Sequence, residues 1–388
     1  MHSIESDRGP LTPLEIACGM TLGVDPLAPP LPQAQPADTP RLALERSILT
    51  ALRRPPCVVS FSGGRDSSAI LAMAAFLARR EGLELPIPVT NVFSEAPSTE
   101  ETEWQELVVR HLGLDDWTRL HFTDELDFVG PVAQEVLTRY GVVYPANTHF
   151  HLPIFKQASG GSVLTGAFGD EVFSESYLDR YRAVLVRGRR PERRDVLRLG
   201  YMLAPAAVRG VALRNRVDEI PWLSPRAQKR ARRARVHEVA SQPVHWGRTI
   251  AWLWRLRYTQ QARWAMSRLA QMTDVAVTHP FGDPGFLSAV AVDGGFAGPG
   301  NRQAVMQELS GDLLPERLLA RRQKASFDEV FWNRHAAEFV AEWSPDGWQR
   351  YPVDAELVHR TWQGPIDNRS VLLLQAAWLE SRGREPEA

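Results

Sequence analysis

The chain has 388 residues, a formal net charge of -1 and 44% hydrophobic residues, which suits one large globular domain or two modest ones. The balanced charge excludes a nucleic-acid role based on a global basic field, so such a role would need a local basic patch. The two cysteines, Cys18 and Cys57, support neither a disulfide framework nor a zinc site with clustered ligands.

The first forty residues lack the basic and apolar segments of a secretory signal, and prolines recur there at positions 13, 26, 29, 30, 32 and 36. Because each proline fixes φ and removes a backbone donor, we expect an extended arm rather than continuous helix or sheet. Thr39 and Pro40 then read as an N-cap and a first helical position. The sequence predicts a proline-rich extension over residues 1–40, followed by the compact domain.

Short apolar strands alternate with helical patterns from residue 57 onward. Strands are predicted at 57–61, 87–93, 118–122 and 162–165, and helices near 68–77, 99–111, 132–140 and 150–158. This alternation is typical of an α/β fold with a parallel sheet and helices on both faces. We predict an α/β core over 41–185 and a helical remainder over 186–388. No apolar run is long enough to span a bilayer, so we expect a cytoplasmic protein without a membrane partner.

The segment from Ser60 to Ser68 contains Ser-Gly-Gly-Arg-Asp-Ser between the first strand and the next helix. A glycine pair lets the backbone approach a polyphosphate, and the helix directs free N–H groups at the anion. Asp66 adds a carboxylate that can hold Mg²⁺ against phosphate oxygens. No Gly-Lys-Ser/Thr follows, so this is not a Walker loop, and an ordinary strand-to-helix turn is the alternative. The predicted nucleotide-binding residues here are Ser60, Ser62, Gly63, Gly64, Asp66, Ser67 and Ser68.

This loop resembles the pyrophosphate-binding S-G-G-x-D-S loop of the N-type ATP pyrophosphatases, which cleave ATP between its α and β phosphates. Three later segments resemble motifs of the asparagine synthetases within that superfamily. Residues 164–173 are similar to S-G-E-G-x-D-E-[LV]-F, residues 279–283 to P-F-L-D, and residues 321–327 to R-x-K-x-x-F. The resemblance covers about residues 41–335. It implies an adenine nucleotide alpha-hydrolase-like core, to whose site 279–283 and 321–327 contribute.

The resemblance implies ATP and Mg²⁺ as cofactors of an amide ligase that forms an acyl-adenylate and releases AMP and pyrophosphate. Asp66 and Asp170 would bind the metal ion, and both follow predicted strands, whose carboxyl ends form the ligand crevice. Lys324 would contact the phosphates and the charge that develops during acyl transfer. Gly166 and Arg322 complete the implied binding set. The implied catalytic residues are Lys324, Asp170 and Asp66, although Lys324 without its flanking motif reads as a surface lysine.

The pattern departs from the family at several positions. Ala167 stands where the family has a glutamate that manages protons on the attacking amine, and Phe168 stands where it has a glycine. Ala276 and Thr278 replace an E-x-R pair, which puts an ordinary aspartate substrate in doubt. The branches of the family that the chain resembles most in character are the lasso-peptide cyclases and the beta-lactam synthetases. Lasso-peptide cyclases also tend to lack this glutamate. Without an N-terminal nucleophilic cysteine and a glutaminase domain, ammonia from glutamine by that route is not expected.

Other features have two readings each. His149, His151 and His279 are candidate replacement bases, since imidazole titrates near neutral pH, or hydrogen-bonded structural residues. Arginine-rich stretches at 187–194 and 226–235 indicate solvated helix faces, or a dock for an acidic peptide, a carrier protein or RNA. The aromatic residues between Trp246 and Trp264, Tyr258 among them, fall at helical spacings and favour core packing over a substrate cage.

These observations predict ATP-dependent amide-bond formation in peptide tailoring, including lasso-type macrocyclisation, or in specialised metabolism. The expected partners are carboxylate and amine substrates, a peptide among the candidates, and a separate protein that delivers substrate. Three alternatives stay open: an ammonia-dependent asparagine synthetase, a tRNA-modifying enzyme, and a non-catalytic nucleotide-binding partner of another synthetase. Thiolation of tRNA usually needs paired or catalytic cysteines, and no nucleic-acid partner is expected.

Overall fold

The computed structural model describes residues 10–34, 38–173, 182, 186, 200–201, 203–213, 218–321, 325, 327–365 and 367–383. Within these ranges the sheet is built from five strands. The strand order is β3-β2-β1-β4-β5, and every neighbouring pair is parallel. The strands are β1 Cys57–Ser60, β2 Ile87–Phe93, β3 Thr118–Phe122, β4 Ser162–Thr165 and β5 Ala276–Thr278. The predicted parallel sheet is confirmed.

Helices make up most of the rest of the described chain. In chain order the α-helices are α1 Pro13–Cys18, α2 Pro40–Leu52, α3 Arg65–Glu81, α4 Thr102–Leu112, α5 Pro131–Tyr140, α6 Leu152–Lys156, α7 Gly169–Phe173, α8 Ala206–Leu213, α9 Pro225–Ser241, α10 Trp246–Arg255, α11 Arg257–Thr273, α12 Pro284–Gly294, α13 Arg302–Ser310, α14 Glu316–Leu319, α15 Asp328–Phe331, α16 Arg334–Glu342, α17 Ala355–Trp362 and α18 Val371–Ser381. Short 3₁₀ helices span Pro97–Thr99, Thr148–His151, Pro280–Gly282 and Asn368–Ser370. Within the described part of the chain, none of the helices combines the length and apolarity needed to cross a membrane.

Both faces of the sheet are covered, as the α/β pattern predicts. Successive side chains of a strand point to opposite faces. Val59 of β1 packs in the cluster that contains α2 and α3, whereas its neighbour Val58 packs in the cluster that contains α6 and α11. Both valines are fully buried. A strand buried on both faces explains why β1 reads as a continuous apolar run rather than as an alternating one.

The N-terminal segment is not the purely extended arm that its prolines suggested. Residues 13–18 form α1, in which Pro13 occupies the first turn, where its missing N–H costs no hydrogen bond. Thr12 and Glu15 close a capping box at its start. Ala17 is fully buried and its carbonyl accepts a 2.8 Å hydrogen bond from Trp222 Nε1. The expected extended arm is therefore interrupted by one short helix at residues 13–18.

The region assigned as a helical remainder also supplies an edge of the sheet. Strand β5 pairs in parallel with β4, with Val277 opposite Val163. Sequence patterns missed it because three residues are too few to show a period of two. Its position ties the C-terminal half of the chain directly to the strand that leads into the Gly166–Asp170 loop.

The arginine-rich stretches differ in what the structure describes. The stretch at 187–194 lies outside the described residues. The stretch at 226–235 lies on α9, where Arg230 and Arg233 line a surface groove shared with α1 and α8. Two other arginines of this stretch pair with acidic side chains, Arg232 with Glu219 and Arg235 with Glu238.

Candidate active site

The site lies where the strand order reverses. From β1 the chain moves to β2 and β3 on one side, and then crosses to β4 and β5 on the other. The loops after β1 and β4 therefore leave the same edge of the sheet on opposite sides, and such a switch point opens a crevice for ligands. A cavity of about 630 Å³ fills this crevice, a volume in the usual range for small-molecule sites.

The loop after β1 is shaped to bring backbone donors to this cavity. Gly63 has φ +82°, a left-handed conformation in which a Cβ would lie 2.8 Å from Gln105 Cγ. Gln105 Nε2 donates a 3.2 Å hydrogen bond to the Ser62 carbonyl, and the Ser62 and Ser67 hydroxyls lie 3.1 Å apart. Gly64 is the N-cap of α3 and has no side chain to occupy the helix terminus. The free N–H groups of the first turn thus remain available to an anion.

Most of the sequence-predicted residues come together here. The cavity is lined by Ser60, Ser62, Gly64, Asp66, Ser67, Gly166 and Asp170, and Gly63 shapes the turn behind them. Ser68 is fully buried and is not part of this lining; its Oγ has no hydrogen-bond partner among the described residues. Lys324 and Arg322 lie outside the described residues. Arg321 and Phe327, which flank them, line the cavity.

Two glycines allow the loops after β1 and β4 to touch. A Cβ on Gly166 would lie 2.8 Å from the Ser67 backbone nitrogen, and a Cβ on Gly169 would lie 2.6 Å from Asp66 Cγ. Any larger residue at either position would push the two loops apart. The glycines of the 164–173 segment therefore place Asp66 against the loop that carries Asp170.

Arg302 joins the two carboxylates. Its Nη2 donates to Asp66 Oδ2 and its Nη1 donates to Asp170 Oδ1 at 2.5 Å. Burial raises the pKa of Asp66, while the Arg302 guanidinium acts to lower it. No sequence motif singled out Arg302, because its only local signal is its position after the N-cap Asn301 at the start of α13.

The two carboxylates suit a magnesium ion. Asp66 Oδ1 is buried and has no hydrogen-bond partner among the described residues, which is a costly state unless a ligand completes it. The described residues contain no cluster of three or more His, Cys, Asp or Glu side chains that could hold a metal ion by themselves. Mg²⁺ is usually held by one or two carboxylates together with phosphates and water. The residues present therefore fit a metal ion that is shared with a polyphosphate.

A buried ion pair fastens the 321–327 segment to the glycine loop. Glu101 accepts hydrogen bonds from both terminal nitrogens of Arg321, at 2.6 Å for Nη1, and a 3.0 Å bond from the Ala325 backbone N–H. Arg321 Nη1 also lies 3.4 Å from the Gly63 carbonyl. Both side chains of the pair are at most 7% exposed. Glu101 follows β2 and belongs to no motif, so no local pattern identifies it as a site residue.

The three candidate histidines lie in low-dielectric surroundings. Burial lowers the pKa of His149 to about 4 and that of His151 to about 4, and it lowers the pKa of His279 well below its usual value. His149 Nε2 hydrogen-bonds the Leu126 carbonyl, and His279 Nδ1 lies 2.7 Å from Thr165 Oγ1. Only His151 of the three lines the cavity. The structural reading suits His149 and His279.

Phe168 and the 279–283 segment form the back of the site. Phe168 has φ +72°, in the left-handed region where the related motif has a glycine. Its ring packs edge-on against His279, with centroids 5.4 Å apart, and a Cβ on Gly282 would lie 2.5 Å from that ring. Asp283 caps α12 by accepting from the Gly285 and Phe286 N–H groups. This segment supports Phe168 and is not part of the cavity lining.

A carboxylate and a phenol meet on the cavity wall. Tyr258 donates its O–H to Glu171 Oε1, and both residues line the cavity. Burial and the neighbouring Glu171 raise the pKa of Tyr258, so the phenol stays protonated at neutral pH. The helical spacing of the aromatic run from Trp246 to Trp264 predicts core packing. That assignment holds for Trp246 and Trp254, which are buried, but not for Tyr258.

An aromatic wall closes the remaining side. Phe150, Phe327 and Phe331 line the cavity, and their rings pack on one another with centroids 5.6 to 5.9 Å apart for the pairs that include Phe150. This wall offers a surface for an apolar or planar part of a ligand. It belongs to the same cavity as the charged groups.

Comparison with known proteins agrees with this geometry. The family model for asparagine synthase matches residues 41–380, well over half of the chain. No curated protein matches the chain.

Proposed function

The chain belongs to the asparagine synthase family, and from that premise we propose that it joins a carboxylate to an amine with cleavage of ATP to AMP and pyrophosphate. A substrate carboxylate oxygen attacks the α-phosphorus and the bond to the β-phosphate oxygen breaks, which gives an acyl-adenylate and pyrophosphate. The amine nitrogen then attacks the acyl carbon. AMP leaves, the amine loses a proton, and an amide forms.

One observation carries the proposal. Asp66 and Asp170 lie side by side at the switch point of the sheet, next to a glycine loop whose helix N-terminus faces the same cavity. When bound there, Mg²⁺ would supply neutralisation of the phosphate charge. The loop binds and orients the phosphates through its N–H and hydroxyl groups, and catalysis rests on positioning and charge stabilisation.

Glu171 is the residue that we assign as acceptor of the amine proton, in place of the family glutamate missing at Ala167. Four carboxylates line the described part of the cavity: Asp66, Glu101, Asp170 and Glu171. The first three bond to arginines. Glu171 instead accepts from the neutral phenol of Tyr258, so a proton can be added to it without breaking an ion pair.

The substrate pair that we propose is a carboxylate and an amine-bearing molecule from peptide or specialised-metabolite tailoring. The aromatic wall of Phe150, Phe327 and Phe331 suits a larger, apolar acyl group better than the short, charged aspartate. An amine held beside the adenylate by its own substrate gains effective concentration and needs less from a dedicated base. Lys324, by its place between Arg321 and Phe327, would contact the phosphates.

The family itself favours a second candidate, an ammonia-dependent asparagine synthetase. The tRNA-thiolating alternative gains no support from the cysteines. Cys18 and Cys57 are both buried and free, and burial raises their thiol pKa values to about 12 and about 11. Thiols of this kind are poor nucleophiles.

The test follows the nucleotide products and the amide together by mass spectrometry. Purified protein with Mg²⁺ and ATP is given a panel of amino-carboxylates and peptides, and in parallel aspartate with ammonia. AMP and pyrophosphate released in step with an amide of a peptide or amino-carboxylate are expected. Formation of ADP and phosphate would contradict the proposed adenylate chemistry. Efficient asparagine formation that matches AMP release would favour the ammonia-dependent asparagine synthetase.

A further inference from the structure

Arg302 occupies the position between the two acidic side chains of the site. One guanidinium donates from Nη2 to Asp66 Oδ2 and from Nη1 to Asp170 Oδ1. The arginine and Asp66 side chains are only 16% and 18% exposed, whereas Asp170 is 52% exposed. Arg302 Nε is buried without a hydrogen-bond partner among the described residues. The two terminal nitrogens of the guanidinium therefore point at the carboxylates, and no hydrogen bond from Nε to a described residue holds the group in place.

A guanidinium in this position competes with a metal ion. The oxygens that Arg302 bonds belong to the same carboxylates that a divalent cation would use, and both cations are attracted by the same pair of negative charges. A metal ion placed between the carboxylates would meet a positive guanidinium at hydrogen-bond distance from each. Like charges at such separations repel strongly in a partly buried site. Arg302 and a metal ion therefore exclude one another from this position.

We propose that Arg302 holds the Asp66–Asp170 pair while no nucleotide is bound, and transfers to phosphate oxygens of ATP when the metal ion takes its place. The inference rests on the proposed use of Mg²⁺ and ATP. It makes metal uptake dependent on the nucleotide, because free metal must displace the guanidinium without offering it a new partner. ATP brings oxygens that a planar guanidinium fork binds well.

The surroundings support a transfer toward the glycine loop. Arg302 lines the cavity together with Gly64 and Ser67 of that loop. Arg65, which also lines the cavity, brings a second guanidinium group to this loop. A polyphosphate bound along this loop would offer both guanidinium groups a partner, which a free metal ion does not.

The experiment measures Mn²⁺ binding to the full chain by electron paramagnetic resonance of free Mn²⁺, without nucleotide and then with ATP, each against a protein-free sample of the same composition because ATP itself binds Mn²⁺. For Arg302→Gln we expect Mn²⁺ affinity without nucleotide to rise at least tenfold over the unsubstituted protein. Binding of Mg²⁺-pyrophosphate by the same variant, followed calorimetrically, is expected to weaken at least tenfold. These opposite signs are the signature, since a purely structural role would weaken both. Arg41→Gln, which removes a fork that binds Asp312 on the surface, is the matched control and should change neither.

A second variant keeps the test decisive if Arg302→Gln does not fold. Arg302→Lys keeps the charge but cannot span both carboxylates, so its nucleotide-free Mn²⁺ affinity should fall between those of Arg302→Gln and the unsubstituted protein. Unchanged Mn²⁺ affinity in the folded variants, or a loss of both Mn²⁺ and pyrophosphate binding, overturns the inference and leaves the proposed function standing. If the unsubstituted protein binds no Mn²⁺ even with ATP, the proposed function fails, and this inference with it.

Discussion

Glu101 and Arg321 form a bidentate ion pair that is almost completely buried beneath the glycine loop. Glu101 also accepts the Ala325 N–H, so one carboxylate fixes the chain on either side of residues 322–324. The pair lies between α4 and the segment where the sequence resembles R-x-K-x-x-F. Its burial means that removing one partner leaves an uncompensated charge in a low-dielectric site.

Glu101→Gln should lower the free energy of unfolding by about 3 kcal/mol, because it breaks a buried pair from one side. Activity should fall with it, since the segment that carries Lys324 loses its anchor. Glu103→Gln is the control: its pair with Arg317 joins the same two regions, but both side chains are about two-thirds exposed, and such pairs contribute about 0–1 kcal/mol. Urea denaturation measures both. Equal effects of the two substitutions would contradict the buried role.

Asp66→Asn and Asp170→Asn should each abolish Mg²⁺-dependent release of AMP and pyrophosphate while the fold is retained. Each substitution removes a charge that a bound cation needs. Pyrophosphate release measures the activity, and near-ultraviolet circular dichroism checks the fold. Asp312→Asn, at the surface pair with Arg41, should leave activity unchanged. Substantial activity in Asp66→Asn would show that the carboxylate pair is not required for catalysis.

Glu171→Gln should separate the two half-reactions. The adenylate still forms, so ATP–pyrophosphate exchange with the carboxylate substrate should persist, whereas amide formation should fall by about 10²- to 10⁴-fold, the range of general-base contributions. Tyr258→Phe removes the hydrogen bond to the same carboxylate and should give a smaller loss of the same kind. An equal loss of exchange and of amide would instead indicate a role in binding or structure.

Phe168 allows a clean test of backbone strain. Phe168→Gly and Phe168→Ala both remove the ring that packs on His279, but only glycine adopts φ +72° without steric conflict. The glycine variant should therefore be more stable than the alanine variant by about 1 kcal/mol, although both are less stable than the unsubstituted protein. The difference is measured from the midpoints of urea unfolding of the two variants, provided that their unfolding free energies depend equally on urea concentration. An alanine variant as stable as the glycine variant would contradict the strain.

Stability should fall with acidification because His149 is buried in its neutral form. Its pKa is lowered to about 4, below the value of roughly 6.5 for an unfolded chain. Between these values the unfolded state binds the extra proton, so the stabilisation is complete above about pH 6.5 and is lost toward pH 4, by roughly 1.4 kcal/mol per pH unit.

The check is chemical denaturation between pH 7 and pH 4.5. His149→Gln, which keeps a donor for the Leu126 carbonyl, should flatten the slope by about that amount. His111→Gln, at an exposed position, controls for the loss of an imidazole elsewhere. A slope that His149→Gln leaves unchanged would assign the acid sensitivity to other groups.

The sequence predicted the parts of the molecule that depend on local pattern. Strands β2, β3 and β4 lie at the predicted residues, and Asp66 and Asp170 lie together because both follow strands that end at one edge of the sheet. The remainder depends on pairs that no local pattern encodes. Arg302 and Asp66 are 236 positions apart, and Arg321 and Glu101 are 220 apart. A three-residue strand such as β5 and a capped helix such as α1 inside a proline-rich stretch are likewise too short for a periodic signal.

The late position of β5 in the chain bears on how the protein is made. Until residues 276–278 leave the ribosome, β4 has no neighbour on its outer side, and its unpaired backbone groups can pair with another chain. The Asp66–Asp170 pair likewise lacks its arginine partner until Arg302 has been synthesised. During translation the sheet therefore lacks its last strand, and β4 keeps an unpaired edge, for more than a hundred residues after β4. A chain truncated before residue 276 should aggregate rather than fold into a smaller ATP-binding unit.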